Sequence, residues 1–573
     1  MRGSLDLIMK RKGNGSAIVV AWAEKIRKYT RSGVAVAWTM RIIEKMRSGS
    51  AFAGTKRILE KARSHVAVAG AMRLLEKIPF TILVPIIMLV SGVTLLRQDP
   101  LPLQTLRNSV FDQFQRLHPR TYTPAPIRIV DIDEQSLERI GQWPWPRTTI
   151  AEMVTKLRQA GALVIGFDVI FAESDRTSPK SMMRLWNPAG DVRRLISSLP
   201  DHDEELAKVL GQAHDVVLGF AVEREGVVES APPRPFRVIT SGEPVGRFLH
   251  PFSEVAPSLP QLAVAAEGHG ALTFVPDADG VIRHVPLMVR LGDEIMPSLS
   301  AETLRVVQGA QNYYIKSAPE NVGTGMEKIR IGKLTIPTTP NGELWMHYTK
   351  PTRLRYIPAW GVLADRIPPE RLRDTIVLVG SSAQGLMDLR FSPRGIIPGV
   401  EVHAQALEQI LTGTYLERPA WGNGIEILMV IVGGLLVGLA ALFTSALVSA
   451  LVTGVVIGLS LWAAWLAFVQ GGLLLDPLTP GLVLLMTFVL SSLVHHFSTE
   501  RRQRWVKDAF SRYVSPNLVE HLVENPGQLE LGGERRECSF VFTDLAGFTS
   551  LMEAIDPAEA VTLLNDYLDE MIA

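Results

Sequence analysis

The sequence predicts a multi-domain membrane protein in which an α/β domain lies between the first and second of four membrane-spanning helices. Three observations point there. Charge nearly vanishes from four long apolar stretches, at 79–96, 425–443, 446–469 and 477–497. Between the first two, strand-like and helix-like patterns alternate over an ordinary mixed composition, which suits a sheet layered with helices. The stretch 1–78 is strongly basic although the whole chain carries a net charge of only +1.

Residues 1–79 hold 17 Lys and Arg against 5 Asp and Glu. They contain a tandem repeat: GVAVAWTMRIIEKMRS (33–48), GSAFAGTKRILEKARS (49–64) and HVAVAGAMRLLEKIPF (65–80), with a looser copy at 15–32. Apolar residues three or four apart beside a basic cluster suit short amphipathic helices. Such helices could lie on anionic membrane lipid, where each nearby Lys or Arg adds about 1 kcal/mol. A tail of low-complexity origin, or a start at Met40, Met46 or Met72, explains the same residues. The near-neutral total carries no nucleic-acid signature, and no nucleic-acid partner is expected.

The span at 79–96 carries no charge, and the other three approach the roughly 20 residues that cross about 30 Å of hydrocarbon. The whole basic stretch precedes the first span, so that span reads as an internal signal anchor and not as a cleavable leader. Lys and Arg before it and in TERRQRWVK (499–507) assign both termini to the cytoplasm. Residues 97–424 then lie outside, in the periplasm of a bacterium, with the chain multi-pass in the inner membrane. Trp421 and Tyr415 fall at the outer interface. The chain's one cysteine, Cys538, excludes an internal disulfide.

Within 97–424 the strand candidates are 127–133, 161–171, 215–222 and 375–383. The helix candidates are 148–160, 297–308 and 398–413, the last with a glycine stop. Candidate sensing residues are Asp131, Asp133, Trp143, Trp145, Arg147, Asp168, His269, Arg283 and His403. Acids at strand ends can converge in the crevice where open α/β sheets bind ligands; they also serve as ordinary caps. Trp143-Pro-Trp145-Pro suits a packed rigid loop, and 276–280 (PDADG) a turn, since it lacks the further ligands of a calcium loop. The stretches IRIVDIDEQSLERIGQWPWPR (127–147), GALVIGFDVIFAE (161–173), GHGALTFVPDADGVIRHVPL (268–287) and 377–407 resemble the type-2 CHASE domain. That resemblance implies an extracytoplasmic sensor, placed before three spans, for a periplasmic ligand it does not identify.

From 498 a polar helix leads out of the membrane, through a linker to 532. FVFTDLAGFTSL (540–551) then reads as a strand, an aspartate, a glycine turn and a helix start. A carboxylate beside a phosphate-binding turn is what Mg²⁺ uses with a nucleotide, although an aspartate also simply caps a helix. The run RYVSPNLVEHLVENPGQLELGGERRECSFVFTDLAGFTSL and the helix after it resemble the opening of class III nucleotide cyclases. The resemblance implies an α+β, ferredoxin-like domain that begins near 533 and converts ATP to cyclic AMP and pyrophosphate with Mg²⁺ or Mn²⁺. It matches Asp544 to the first metal aspartate and Leu545 to the metal-binding carbonyl. Ala546, Gly547, Phe548 and Thr549 match the phosphate-holding turn.

The family's second metal aspartate, its purine-selecting pair and its transition-state Asn and Arg are expected beyond Ala573. The chain ending at Ala573 is therefore expected to be inactive by itself, with the catalytic residues beyond Asp544 unknown. Asp566, Asp569 and Glu570 read as solvated helix carboxylates. A homodimer is implied, because the family builds its active site between two catalytic domains. Gly434/Gly438 and Gly454/Gly458 suit either packing inside one bundle or a dimer seam. The expected function is a receptor adenylate cyclase; the alternative is a non-enzymatic membrane sensor. A histidine-kinase output is disfavoured, since His496 lacks an acid at the next position.

Overall fold

The computed structural model describes residues 80–225, 232–319, 325–386, 388–510, 537, 539–542 and 544–572. The basic repeats, the linker to 536 and Cys538 lie outside the described residues.

A seven-stranded sheet organises the domain between the first two spans. Its strands, in chain order, are β1 (Ile127–Ile132), β2 (Val164–Phe167), β3 (Val216–Glu223), β4 (Glu254–Ala256), β5 (Gly268–Ala271), β6 (Tyr356–Pro358) and β7 (Ile376–Ser381). The order across the sheet is β6-β1-β7-β2-β3, with β4 and β5 both paired to β3. All pairings are parallel except β3 with β4. The alternation of side chains explains why the strands read as nearly continuous apolar runs. Ile127, Ile129, Val164, Val217, Ile376 and Leu378 enter one core. Their neighbours Val130, Ile132, Ile165, Val216, Val377 and Val379 enter the other.

Helices cover both faces. Leu299–Val307 and Gly399–Thr412 pack on the first; Arg147–Gln159 and His202–Leu210 pack on the second. Gly270 lets β5 touch the first of these helices, since a Cβ there would lie 2.6 Å from the Leu299 backbone nitrogen. The helix Gly399–Thr412 ends at Gly413 with φ +65°, a left-handed stop that glycine takes without strain. A smaller four-stranded sheet, ordered Leu334–Pro337, Met326–Ile331, Asn312–Ser317 and Arg237–Ser241, extends the first core.

Four helices are long and apolar enough to cross a membrane: Thr81–Gln98, Gly422–Phe443, Ala446–Gly471 and Leu478–Trp505. The last belongs to one continuous helix, Leu478–Phe510, of 33 residues. The expected fourth span and the expected signalling helix are thus a single rod of about 50 Å, longer than a hydrocarbon core. Gly434 packs under Leu89 and Gly438 under Pro85, so this pair serves close approach within the bundle; a Cβ added at Gly454 or Gly458 would meet nothing within 4 Å among the described residues.

One helix was not expected. Leu101–Leu117 follows the first span and carries its apolar face to the carboxyl-terminal end of the third, where Phe114 meets Trp465 at 5.3 Å and Phe468 at 5.5 Å. The expected strand at 540–543 is another difference. Ser539–Phe542 is not in a strand, and Phe540, Val541 and Phe542 are 80–94 % exposed. A strand is held by a neighbour's hydrogen bonds, and among the described residues none pairs with this segment.

Candidate functional site

Parallel strands bring their carboxyl ends to one edge, and there the sensor domain opens a cavity of about 870 Å³. Its walls come from the ends of β1, β2 and β7, from residues 272–282, and from the hairpin Leu389–Ser392/Gly395–Pro398. The volume falls within the range of small-molecule sites. Trp143, Phe274, Ile282 and Phe391 give it an apolar lining; Asp168, Asp388 and Arg390 give it charge.

Asp168 follows β2, fixed by its backbone N–H, which donates to the Val379 carbonyl at 2.8 Å. Its Oδ2 has no hydrogen-bond partner among the described residues. Burial pushes its carboxyl well above the usual range; Asp388 adds to this and Arg390 opposes it. Asp388 forms an ion pair with Arg390, N to O 2.8 Å. His403 stands one layer behind, its ring 4.6 Å from that of Phe274 and its Nδ1 2.8 Å from Ser300 Oγ. Burial lowers its pKa to about 3, so it is neutral.

The other expected sensing residues separate from this crevice. Asp131 is buried at the end of β1 and accepts from Ser382 N at 2.9 Å and Ser382 Oγ at 2.7 Å; burial raises its pKa to about 6 against those bonds. Asp133 caps the helix Glu134–Ile140 by accepting from Ser136 N at 2.8 Å. Trp145 is buried edge-on to Trp143 and donates to the Gly141 carbonyl at 2.8 Å, so only Trp143 reaches the cavity. Arg147 lies over Phe171 and pairs with Asp203 at 3.3 Å. His269 bonds the Ala263 carbonyl at 2.9 Å, and burial lowers its pKa to about 4.

Arg283 is a clasp and does not line the cavity. It is 1 % exposed and donates to Asp112 at 2.9 and 2.7 Å, to Asp277 at 2.6 Å and to Asp279 at 2.9 and 2.7 Å. Burial alone would lower its pKa, but the three carboxylates raise it instead. Asp112 lies on the helix Leu101–Leu117, whereas Asp277 and Asp279 belong to the turn whose neighbours Pro276, Gly280 and Ile282 line the crevice. Asn108, on the same helix, donates to Asp277 at 3.2 Å. The crevice wall is thereby tied to the helix that follows the first span.

A second connection leaves the helix Gly399–Thr412. Arg355, fully buried, donates to Glu401 at 2.5 Å and to Glu408 at 3.1 and 2.9 Å, and Arg120 reaches Glu408 at 3.1 Å. Beyond Gly413 the chain runs to Arg418, which holds Glu426 of the second span at 2.9 Å. Glu426 also accepts from the backbone of Asp476, and Asp476 caps the last helix through Thr479. The hairpin between the third and fourth spans therefore lies on the sensor side.

At the carboxyl end of the chain, Gly547 takes φ +80° and starts the helix Phe548–Ala554. The Leu545 carbonyl accepts from Phe548 N at 3.1 Å, which closes the turn over Ala546 and Gly547, and Thr549 lies in the helix that follows. Among the described residues no three His, Cys, Asp or Glu side chains gather as a metal group. Asp544 and one backbone carbonyl would give a divalent cation two donors, and the rest of its shell would have to come from nucleotide phosphates, water and a carboxylate beyond those described.

Residues 86–440 match the family model of the CHASE2 domain, more than half of the chain. The match begins inside the first apolar helix and ends inside the second. No curated protein and no solved structure matches the chain.

Proposed function

The chain belongs to the CHASE2 domain family, and on that premise we propose that it is the receptor part of a membrane adenylate cyclase of class III. The family match makes it a membrane-bound sensor for signal transduction. The output reading rests on one observation: FTDLAGFT at 542–549 stands in order behind a sensor, three successive spans and a helix that continues past the last span to Phe510. The sensor would face the periplasm of a bacterial inner membrane and both termini the cytoplasm. A signal of this kind is a bias between two states, and its energy comes from unequal ligand affinity for them.

In the proposed reaction the 3′-hydroxyl of ATP attacks its α-phosphorus and pyrophosphate leaves. Asp544 and the Leu545 carbonyl would be this chain's donors to Mg²⁺ or Mn²⁺. The turn from Ala546 to Thr549 would lie along the phosphates. A second carboxylate must come from residues other than those described, and pairing of two catalytic domains would make the homodimer the active unit.

The test uses the product of the whole reading frame in membranes, supplied with Mn²⁺–ATP and, separately, Mn²⁺–GTP. Cyclic AMP is expected, and Asp544→Ala is expected to lower it about 1000-fold, the equivalent of several kcal/mol of lost charge stabilisation. Cyclic GMP would keep the reaction and correct the base. A folded protein that makes neither product would favour the non-enzymatic sensor.

A further inference from the structure

We infer that the crevice at the carboxyl ends of the central sheet binds an organic cation with an apolar body, such as a protonated amine, through Asp168. This names the ligand chemistry of the receptor proposed above and rests on that reading for its purpose, but not for its geometry.

Three features converge. The first is charge: two carboxylates and one guanidinium line the cavity, and Arg390 already pairs with Asp388 at 2.8 Å. Asp168 is left as the carboxyl without a hydrogen-bonded partner among the described residues; burial favours its protonated form, and a cationic ligand would favour the ionised one. Its Oδ2 is covered and unpartnered among the described residues, and no hydrogen bond contributes to the shift of its carboxyl. A buried carboxylate without a partner is costly, and a cationic ligand would remove that cost when it binds.

The second feature is the wall. Trp143, Phe274 and Phe391 line the same space with Ile282, Leu272 and Leu389. Aromatic faces attract organic cations, and aliphatic walls reward an apolar body. The third is the donor count. No group of three His, Cys, Asp or Glu forms among the described residues, and roughly 870 Å³ is far more room than a bare metal ion needs. The combination selects an amine over a metal. Arg390 contacts Asp388 through one terminal nitrogen and keeps a buried Nε without a partner among the described residues, so a carboxylate probe is the arm that tests an anion.

Position gives such binding a consequence. The wall residues Pro276, Gly280 and Ile282 flank the two carboxylates that hold Arg283, and Arg283 holds Asp112 on the helix behind the first span. An amine seated between Asp168 and Phe274 would bear on the turn that carries the clasp.

The experiment uses the full chain, Met1 to Ala573, in lipid nanodiscs and titration calorimetry with three probes of one apolar body: 2-phenylethylamine, 2-phenylethanol and 3-phenylpropionate. The amine is expected to bind saturably, the alcohol much more weakly and the carboxylate not at all. Asp168→Asn, which keeps shape and removes charge, is expected to weaken the amine about 30-fold, the scale of one charged hydrogen bond. The variant's thermal unfolding is compared with the parent's. If the variant does not fold, the three-probe comparison on the unaltered chain decides alone. Alcohol or carboxylate binding as tight as the amine's, amine binding that survives Asp168→Asn, or no saturable amine binding would overturn the assignment. No cyclase output enters the readout, so a silent output with intact amine binding would sink the receptor-cyclase reading and leave the crevice standing.

Discussion

Arg283→Met is expected to destabilise the sensor domain by about 3–5 kcal/mol, because it leaves buried carboxylates without the cation that neutralises them. Asp112 suffers most: it is 7 % exposed and both of its oxygens accept from this one guanidinium. The effect should depend on pH with a definite sign. Arg283, by its hydrogen bonds, holds the Asp279 carboxyl below its ordinary range. A depressed carboxylate contributes stability above its unfolded pKa and loses it as pH falls, so the parent loses this contribution below about pH 4. The variant never has it, and the gap between the two should narrow on acidification. Denaturant unfolding of the purified chains at pH 7 and at about pH 2.5 measures this. A gap under about 1 kcal/mol at pH 7 would mean that the clasp is weaker than its burial implies. Where a ligand response is detectable, the same substitution should weaken it, since Asp112 is the link to the helix behind the first span.

The second large effect is expected at Glu408. This carboxylate is 1 % exposed and accepts from Arg120 and from Arg355, which are 5 % and 0 % exposed. Glu408→Ala leaves Arg120 with no carboxylate partner and Arg355 with only Glu401, inside a region that excludes water. The cost should again be about 3–5 kcal/mol. A double variant with Arg120→Met should recover part of that loss, because one of the stranded charges is then gone. If the double variant is as unstable as the sum of the singles, the two residues are not coupled and the network is misassigned.

Much of the sensor was legible because its physics is local. β1, β2, β3 and β7 were readable from apolar runs that a sheet buried on both faces requires, and the helices at 147–159, 299–307 and 399–412 from their periodicity. The strand-end rule placed Asp168 at the crevice, since its position after β2 is fixed by the strand itself. It could not find Asp388 and Arg390. These reach the crevice through the hairpin pairing of Leu389 with Pro398, far along the chain from Asp168. Arg283 was a candidate for ligand contact on its sequence alone. Its partner Asp112 is 171 residues away, and only the fold reveals that the charge is fully spent. The helix Leu101–Leu117 escaped notice because its apolar positions sit directly behind a span and look like linker. Its purpose shows only when Phe114 is seen against Trp465 and Phe468.

The account stands on a sensor and an Asp544 turn that lie on opposite sides of a membrane, and one labelling measurement tests that directly. Cys538 is the chain's only cysteine, so Cys538→Ser gives a blank background. Into it go Leu354→Cys, at a sensor position 63 % exposed, or Glu553→Cys, on the exposed side of the helix after the turn. Intact bacterial cells are treated with a membrane-impermeant maleimide, before and after permeabilisation. The expected result is that the cysteine at 354 reacts in intact cells and the cysteine at 553 only in opened ones. Reaction of both from the same side would contradict a transmembrane receptor.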